Sequence, residues 1–381
     1  MIMWLLLFTC LFWLIILIDA VIGMRKIDRL EDVSVEMFDD APLISIIIAA
    51  RNEETGISAS LYSQIKQSYP ALEWIVVNDR STDRTREHIE SIRKKDARIT
   101  SIHIKELPQG WLGKNHALYQ GYKKAKGDYL LFTDADIIYQ PDTIEKAMNY
   151  VKKNDIDHLT LAPNMNVKRF WPKAFISFFL FGFSFFKRPW MANVDSSKSA
   201  IGIGAFNLVS KKAYESIGGH QAIKERPDDD LMLGVLLKQK GYKQRMVTAL
   251  NHLEVEWYAT LKEAFVGLEK NTLAGLYYRY SMVALAVSGV FITHVLPFLT
   301  LFSNSELVRM LSILSIVLIA GVYMQTVHKM TKGALKSLPV LPVTALLFIY
   351  CIARAAFLTA YRGGIVWRGT FYSIKELRQK N

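Results

Sequence analysis

Eight residues, Tyr129-Leu-Leu-Phe-Thr-Asp134-Ala-Asp136, decide how this chain folds. The apolar run predicts a short buried strand, and the two carboxylates fall at its C-terminal edge. Open α/β sheets bind their ligands at that edge. Residues two apart on an extended backbone project from one face, so Asp134 and Asp136 are predicted to address one divalent cation together or through its waters. The alternative is a solvated acidic turn, because Asp-x-Asp is common by chance.

The composition indicates a soluble domain with membrane segments attached. The chain has 381 residues, a formal net charge of +12 and 51% hydrophobic residues, which is too apolar for one ordinary soluble domain. Cys10 and Cys351 both lie in apolar stretches, so neither a disulfide framework nor a zinc cluster is expected, and the working domain is predicted to be cytosolic. The positive charge suits an anionic membrane surface and a nucleotide. Nucleic-acid binding is the alternative, but the sequence has no basic stripe interleaved with aromatic residues.

An N-terminal membrane anchor is predicted over residues 1–23, which form an apolar run long enough to cross ~30 Å of hydrocarbon. A cleaved signal peptide would carry its basic residues before a shorter apolar core. Here Arg25, Lys26 and Arg29 follow the run instead. By the positive-inside rule, the N-terminus is then outside and the main domain is cytoplasmic.

Two strands are predicted after a linker over residues 24–42. The run 43–50 indicates a buried parallel strand leading into Arg51, and the run 74–78 indicates a second strand ending at Asp79. The strand–helix–strand spacing implies a right-handed crossover and a parallel sheet. Polar residues at successive strand ends then converge on one crevice, where a nucleotide would lie.

Three later segments carry candidate site residues. Lys114 follows a third strand, predicted over 99–104, and stands near a helix start that suits a phosphate, although any surface lysine beside a glycine looks similar. The glycine-containing run 202–210 resembles a strand with close backbone approach. The adjacent carboxylates of Asp228-Asp229-Asp230 repel one another, so one can have a raised proton affinity and act as a general base. The alternative is an N-cap cluster for a helix over 231–240.

Taken in order, these motifs resemble the family 2 inverting glycosyltransferases over residues 43–250. Five motifs in this order are not expected by chance. The resemblance implies a GT-A fold, an α/β nucleotide-binding domain with a Rossmann-like mixed sheet and helices on both faces, here with N-terminal and C-terminal transmembrane helices. The segments that carry it are Ala49-Ala50-Arg51-Asn52-Glu53, Asn78-Asp79-Arg80-Ser81-Thr82-Asp83, Gly113-Lys114 with Ala117-Leu118 and Gly121, Asp134-Ala135-Asp136, and Asp229-Asp230 before Gly241-Tyr242.

The resemblance also implies how the nucleotide sugar, a UDP-sugar, is held. The segment from Ala50 and Arg51 to Glu53, together with Asp79, would hold the nucleoside. Lys114 would approach the base or the diphosphate.

The chemistry is implied in the same way. Asp136 would ligate Mg²⁺ or Mn²⁺, with Asp134 supporting the ribose and the metal waters. Asp230 would be the base that deprotonates the acceptor hydroxyl. The family's usual Glu-Asp is here Asp-Asp, so Asp229 is a rival for that role. The metal would offset charge on the leaving diphosphate.

The C-terminal motifs look like those of the smaller group that glycosylates carotenoid acids and related lipids. Processive members of the family carry Gln-x-x-Arg-Trp before their later membrane helices, where this chain has Glu256-Trp257-Tyr258. The resemblance implies that Lys270, Asn271, Trp367 and Arg368 lie on the acceptor or diphosphate side. The alternative for Lys270 is a helix-end cation at the membrane surface.

The end of the chain is predicted to lie in and on the membrane. Interfacial or acceptor-side helices are expected over 251–281, membrane segments over 282–361 and a basic tail over 362–381. Three apolar runs each approach the ~20 residues needed to span: 282–302, 308–327 and 338–361. If all three cross, the basic tail lies outside, against the positive-inside rule, so 338–361 is a candidate re-entrant segment and two or three spans are possible.

An aromatic run over 174–186 is too short to span comfortably. It predicts an in-plane helix at the lipid headgroups, which would bring the site to a lipid acceptor. A buried helix of the acceptor domain is the alternative.

The sequence thus predicts a membrane-anchored, metal-dependent glycosyltransferase that moves one sugar, from a UDP-hexose, to a lipid acceptor of carotenoid, terpenoid or glycolipid type at the cytoplasmic face. Inversion would follow from a single displacement. The first alternative is a processive polysaccharide synthase. The second is a non-catalytic membrane scaffold or transport component that retains the nucleotide fold; intact Asp136 and Asp230 argue against it.

Overall fold

The computed structural model describes residues 1–36, 40–276, 278–367 and 370–374. For residues 270, 271, 274, 365–367 and 370–372 it describes the backbone alone. Two compact units are found. The sheet unit comprises Arg25–Met165 and Arg188–Val255, and the helical unit comprises Met1–Met24, Asn166–Lys187 and Glu256–Asn381.

The elements are numbered in chain order over the described residues. The strands are β1 (Ile44–Ala50), β2 (Leu72–Asp79), β3 (Ile99–Ile104), β4 (Tyr129–Asp134), β5 (Ile138–Tyr139), β6 (His158–Met165), β7 (Asn207–Ser210), β8 (Gln244–Val255), β9 (Gly364–Trp367) and β10 (Thr370–Ser373). The α-helices are α1 (Ile2–Gly23), α2 (Ile57–Gln64), α3 (Thr85–Arg93), α4 (Gly113–Tyr122), α5 (Thr143–Asn154), α6 (Phe170–Lys187), α7 (Lys211–Ser216), α8 (Gly219–Ala222), α9 (Asp229–Gln239), α10 (Leu261–Gly275), α11 (Tyr280–Val290), α12 (Leu296–Thr300), α13 (Glu306–Val327) and α14 (Leu341–Arg362).

The sheet unit is built on one mixed sheet with the strand order β3-β2-β1-β4-β7-β6-β8-β5. The first four of these strands are mutually parallel, as predicted. Strand β7 is antiparallel to both β4 and β6, and β8 runs parallel to β6. The four parallel strands therefore end at one edge, and the carboxyl ends of β1, β2 and β4 bring the predicted motifs together.

Helices cover both faces of this sheet because both faces of its central strands are apolar. In β1, Ile46 and Ile48 enter the core on one face, and Ile47 enters the core on the other. Such continuously apolar strands are typical of a sheet buried on both sides. A mixed sheet with helices on both faces is the architecture that the resemblance implied.

The glycine-containing run 202–210 is a strand only over β7. The predicted close approach of its backbone is confirmed, because a Cβ on Gly202 would lie 1.8 Å from the carbonyl oxygen of Asp230. A Cβ on Gly204 would lie 2.6 Å from Oδ2 of Asp134. The segment before β7 is irregular because it threads between β4 and α9.

The predicted boundaries of the sheet domain need correction at two places. The segment taken as a linker belongs to the sheet unit: Tyr150 donates a hydrogen bond to Asp28 at 2.6 Å, and Arg29 bridges to Thr248 on β8. Residues 166–187, placed inside the predicted domain, belong to the helical unit. The linker residues pair with an open edge of β8, which no local sequence signal reveals.

The helical unit contains four helices long and apolar enough to cross a membrane, among the residues searched: Ile2–Lys26, Tyr280–Thr300, Glu306–Val327 and Ala334–Arg362. Helices α1 and α13 pack side by side and run in the same direction. Cys10 Sγ lies 3.1 Å from Ser315 Oγ, and at the other end Lys329 donates to the carbonyl of Met24 at 2.8 Å.

Helix α6, predicted to lie in the membrane plane, is packed inside the helical unit. Phe181 stacks on Trp13 at 5.6 Å between ring centroids, and Phe178 lies 5.5 Å from Phe348 of α14. These aromatic side chains are largely buried. The packing favours the buried-helix alternative over the in-plane helix.

Helix α14 is continuous from Leu341 to Arg362 and follows a 3₁₀ segment at Ala334–Val340. Arg354, which the sequence places inside this apolar run, is paired with Glu269 of α10 at 3.0 Å. Arg362 reaches the other oxygen of Glu269, also at 3.0 Å. One buried carboxylate therefore compensates two cationic side chains of the helix.

Candidate active site

The loops that follow β1 and β2 are tied together at the sheet edge. The backbone N–H of Asn52 donates to Ser81 Oγ at 3.0 Å, and the N–H of Thr82 donates to the Asn52 side chain at 2.9 Å. The N–H of Glu53 donates to Thr85 Oγ1 at 2.8 Å. The predicted convergence of polar residues on one crevice is therefore confirmed for these two strand ends.

Asp79 lies at the bottom of this crevice and is already paired. Its side chain is 3% exposed and receives two hydrogen bonds from Arg80, at 2.7 and 3.0 Å. Arg80 has a φ of 53°, and Asp79 in turn raises the pKa of the Arg80 guanidinium. Of the other residues predicted to hold the nucleoside, Ala50 is buried and Arg51 is half-buried. Arg80 was not a predicted site residue, yet its guanidinium lies directly against the Asp79 carboxylate.

The structure corrects the geometry expected for Asp134 and Asp136. Strand β4 ends at Asp134, and Asp136 lies in the following turn. The two carboxylates therefore do not project from one face of a strand as residues i and i+2. Asp136 is exposed beside Gly56, where an added Cβ would lie 3.5 Å from the Asp136 Cβ. Asp134 is half-buried and faces α4.

Lys114, in the first turn of α4, connects two of the acidic motifs. Its Nζ lies 2.8 Å from Asp134 Oδ1 and 3.5 Å from Asp229 Oδ2. Burial acts to lower the pKa of Lys114, but the charges of Asp134, Asp229 and Asp230 outweigh it and hold this pKa well above its usual value. The lysine is therefore a fixed cation at the centre of the site.

Asp229 and Asp230 occupy the first turn of α9 in different environments. Asp230 Oδ2 accepts the N–H of Gly204 and Oδ1 accepts the N–H of Leu231, both at 2.8 Å. Burial, and then the charge of Asp229, raise the pKa of Asp230 to about 6. Asp228 holds the N-cap position but makes no side-chain capping bond, and it pairs with Arg226. The raised proton affinity expected of one member of this cluster thus belongs to Asp230.

A small cavity joins these groups and has room for about one water molecule. It is lined by Lys114, Leu118, Phe132, Thr133, Asp134, Gly204, Asn207, His220, Asp229 and Asp230. Two of these polar side chains, Asn207 and His220, were not predicted. The sequence signal that marks His220 is the Gly218-Gly219 pair directly before it.

Asn115 is a second unpredicted contributor. Its side-chain amide donates to the carbonyls of Ile223, at 2.7 Å, and Arg226, at 2.9 Å. These bonds fix the segment leading into α9 against the start of α4. Lys114 therefore contacts the acidic motif at Asp229, and Asn115 positions the segment that leads into it.

The predicted acceptor-side residues are not tested by these contacts. Lys270 and Asn271 lie on α10 and Trp367 lies on β9, where only the backbone is described, and Arg368 lies outside the described residues. Their predicted roles stay predictions.

The acidic residues suit a divalent cation that shares its coordination with a substrate. Among the residues searched, no group of three or more His, Cys, Asp or Glu side chains could enclose a metal ion. Asp134 and Asp136 supply carboxylate oxygens at the end of β4, and Mg²⁺ is typically held by one or two carboxylates together with substrate phosphates. The donor set therefore fits a cation that arrives with a diphosphate.

The mixed sheet, its tied loops and the Lys114-centred carboxylates define an α/β domain of the GT-A type. Residues 45–218 match the sequence profile of the family described as Glycosyl transferase family 2. This part of the chain is a Glycosyl transferase family 2 domain, as the motifs predicted.

The curated relatives agree with this assignment over part of their length. The chain is 43% identical over 122 residues to an uncharacterized glycosyltransferase of Haemophilus influenzae, covering 32% of this chain and 36% of that protein. It is 30% identical over 193 residues to the 4,4'-diaponeurosporenoate glycosyltransferase of Staphylococcus aureus, covering 50% of each. The chain thus spans half or less of the length of these relatives.

Among solved structures, the chain is similar to a mannosyltransferase from Pyrobaculum calidifontis, PcManGT, in complex with GDP-Man and Mn²⁺. The match has a TM-score of 0.53 at 16% identity and covers 95% of this chain and 99% of that one. At this identity the likeness concerns the fold alone.

Proposed function

We propose that this protein is a membrane-anchored glycosyltransferase that moves a single sugar from a nucleotide sugar, a UDP-hexose, to a lipid acceptor. The observation that carries the proposal is the Lys114 bridge between Asp134 and Asp229 within a Glycosyl transferase family 2 domain. It places an acidic strand end and an acidic helix start around one cavity. The relative named as a diaponeurosporenoate glycosyltransferase supports a lipid acceptor.

Asp230 is the better candidate for the base. A general base needs a high proton affinity and a fixed position. Two backbone N–H groups fix the Asp230 carboxylate, and its pKa is raised. The Asp229 carboxylate forms an ion pair with Lys114 at 3.5 Å, so it is the less available of the two to an acceptor hydroxyl. Asp230 would take the proton of the acceptor hydroxyl, whose oxygen attacks the anomeric carbon with inversion as the diphosphate leaves.

Asp134 and Asp136 would hold Mg²⁺ or Mn²⁺. A bound cation would supply electrostatic stabilisation of the charge on the leaving diphosphate. The similar mannosyltransferase was solved with Mn²⁺ and a nucleotide sugar, which supports this assignment. Lys114, already a fixed cation, would add positive charge at the same end of the cavity.

The helical unit supports a cytoplasmic site with two crossings after the anchor. Helix α1 ends and α11 begins on one face of the membrane, since no candidate span was found between them among the searched residues. The Met24–Lys329 contact brings the end of α13 to that face. At the other end of α14, Ala355 and Ala356 pack with Leu273 and Tyr278, just before α11.

Both ends of the last apolar segment therefore approach the same face. Arg362 pairs with Glu269 of α10, which precedes α11 in the chain. We infer that α14, a continuous helix, stays on this side of the membrane instead of crossing it. The basic tail then lies on the side that carries Arg25 and Lys26, as the positive-inside rule favours.

The test is nucleotide release by detergent-purified protein from UDP-glucose, UDP-galactose, UDP-N-acetylglucosamine and GDP-mannose with Mn²⁺, with and without total lipid extract. Lipid-stimulated release that disappears in Asp136→Ala is the expected result. Release from none of the four donors by folded protein would contradict the proposal and favour a non-catalytic scaffold. Polymeric product would favour a processive synthase.

A further inference from the structure

His220 lies under the cavity at the beginning of α8 and is 1% exposed. Gly218 and Gly219, with φ of 78° and 52°, turn the chain so that His220 folds back over Tyr214. A Cβ on Gly219 would lie 2.4 Å from Tyr214 Cζ, so a side chain there would collide with the ring. The glycine pair therefore serves to place the histidine.

Tyr214 determines which nitrogen of His220 carries the proton. The tyrosine oxygen accepts the backbone N–H of His220 at 3.0 Å and lies 2.8 Å from its Nδ1. Among the described residues, Nδ1 is the one acceptor found for the tyrosine hydrogen. Buried donors are almost always satisfied, so the hydroxyl donates to Nδ1 and the hydrogen of the neutral ring is on Nε2.

The ring is held neutral. Burial and then the charge of Lys114 lower the pKa of His220 to about 3. No hydrogen bond of Nε2 is found within the described part of the chain, and the residue lines the cavity. His220 therefore offers an uncharged N–H donor to whatever enters.

The other walls of the cavity limit what that ligand can be. Carboxylates of Asp134, Asp229 and Asp230 accept hydrogen bonds, whereas Lys114 and His220 donate them. A phosphate oxygen would be repelled by the carboxylates. At the wall formed by Lys114 and His220, a cation would meet an ammonium group and an N–H donor and would find no acceptor on Nε2. A neutral group that both donates and accepts, of about the size of one water molecule, satisfies both kinds of wall. A hydroxyl group has these properties.

We propose that this cavity receives one hydroxyl group of the transferred sugar and that Nε2–H of His220 donates to its oxygen. The inference rests on the proposed function, in which the sugar lies between the diphosphate end at Asp134 and the base at Asp230. His220 is then a binding residue that contributes to the choice of hexose, because a site built to pair a substrate hydroxyl discriminates against sugars that lack or misplace it.

The experiment compares His220→Gln with His220→Asn. A glutamine amide can place a donor near the former Nε2, whereas an asparagine amide reaches only the Nδ1 position beside Tyr214. Affinities for UDP, for GDP and for the four nucleotide sugars named above are measured with Mn²⁺ by calorimetry. His220→Asn is expected to weaken binding of the preferred nucleotide sugar about tenfold, as for one ordinary hydrogen bond, without changing the affinity for the free nucleotide. His220→Gln is expected to retain most of the affinity for the preferred nucleotide sugar.

His252→Asn is the matched control, since His252 is a buried histidine of the same unit that does not line the cavity. It is expected to leave both affinities unchanged. Equal weakening of nucleotide and nucleotide sugar in His220→Asn, or no weakening at all in an enzyme that is active, would overturn the inference. Absence of metal-dependent nucleotide release by the wild-type protein would instead overturn the proposed function.

Discussion

At the scale of single residues, Asp229 and Asp230 are adjacent in sequence but have different partners. Asp229 pairs with Lys114, whereas Asp230 accepts two backbone N–H groups. Asp230→Asn can keep only one of the two backbone hydrogen bonds, because its amide nitrogen cannot accept, and it removes the base. We therefore expect kcat to fall by about 10²–10⁴ with little change in nucleotide affinity. Asp229→Asn should lower kcat by a smaller factor. The sugar-transfer rate and the affinity for UDP are measured for both variants and compared. A greater loss in Asp229→Asn would reverse the assignment.

The pH dependence follows from the ionisation of the same residue. A base acts when deprotonated, and the pKa of Asp230 is raised to about 6 by burial and then by Asp229. We therefore expect kcat/KM to fall as pH drops below about 6 and to level off above it. Asp229→Asn removes a neighbouring negative charge and should move the midpoint to lower pH. A midpoint that stays in place in this variant would contradict the coupling.

At the scale of elements, the irregular segment before β7 fixes α9 to the sheet. Gly202→Ala would place a Cβ 1.8 Å from the Asp230 carbonyl oxygen, and we expect a loss of about 1–3 kcal/mol in unfolding free energy together with reduced activity. Gly182→Ala on α6 is the control, since a Cβ there meets nothing within 4 Å and should stabilise the helix by about 0.5–1 kcal/mol. Thermal unfolding in detergent measures both. Equal stability of the two variants would contradict this role.

Glu269 joins α10 to α14 by two ion pairs. Glu269→Gln leaves Arg354 and Arg362 without their counter-charge, so we expect a loss of ~1–3 kcal/mol, less than the ~3–5 kcal/mol typical of fully buried pairs because the arginines are 26% and 39% exposed. The exposed Glu256 provides the control variant Glu256→Gln, which should change little. The two melting temperatures are compared in one detergent. Indistinguishable values would mean that solvent screens the pairs.

The elements also show which structural features local sequence patterns can predict. Strands β1 to β4 were predictable because each is an apolar run ending in polar residues. The pairing of Arg29 with β8, the bonds from Asn115 to Ile223 and the placement of His220 depend on residues far apart in the chain. The turn at Asp136 was missed because Asp-x-Asp reads the same whether the strand continues or stops. Local patterns therefore gave the sheet and the acidic motifs, and long-range packing determined their geometry.

At the scale of the whole molecule, the inference that α14 does not cross the membrane predicts which introduced cysteines an impermeant reagent can label. With Cys10 and Cys351 replaced by alanine, Ser303→Cys in the α12–α13 loop should react with a membrane-impermeant maleimide on intact cells. Ser373→Cys, after α14, should react only after permeabilisation, because the tail is then cytoplasmic. Ser91→Cys on the sheet unit is the cytoplasmic control. Labelling of Ser373→Cys on intact cells would mean that α14 crosses.

The side-by-side packing of α1 and α13 has a consequence for biosynthesis. Helix α1 leaves the ribosome long before its packing partner, because about 280 residues separate the end of α1 at Gly23 from the start of α13 at Glu306. Until then α1 is anchored without its neighbour, while the sheet unit can already complete its own core. The order of synthesis therefore separates the two units in time, and a nascent chain stopped before α13 would present a folded enzyme domain on an unfinished anchor.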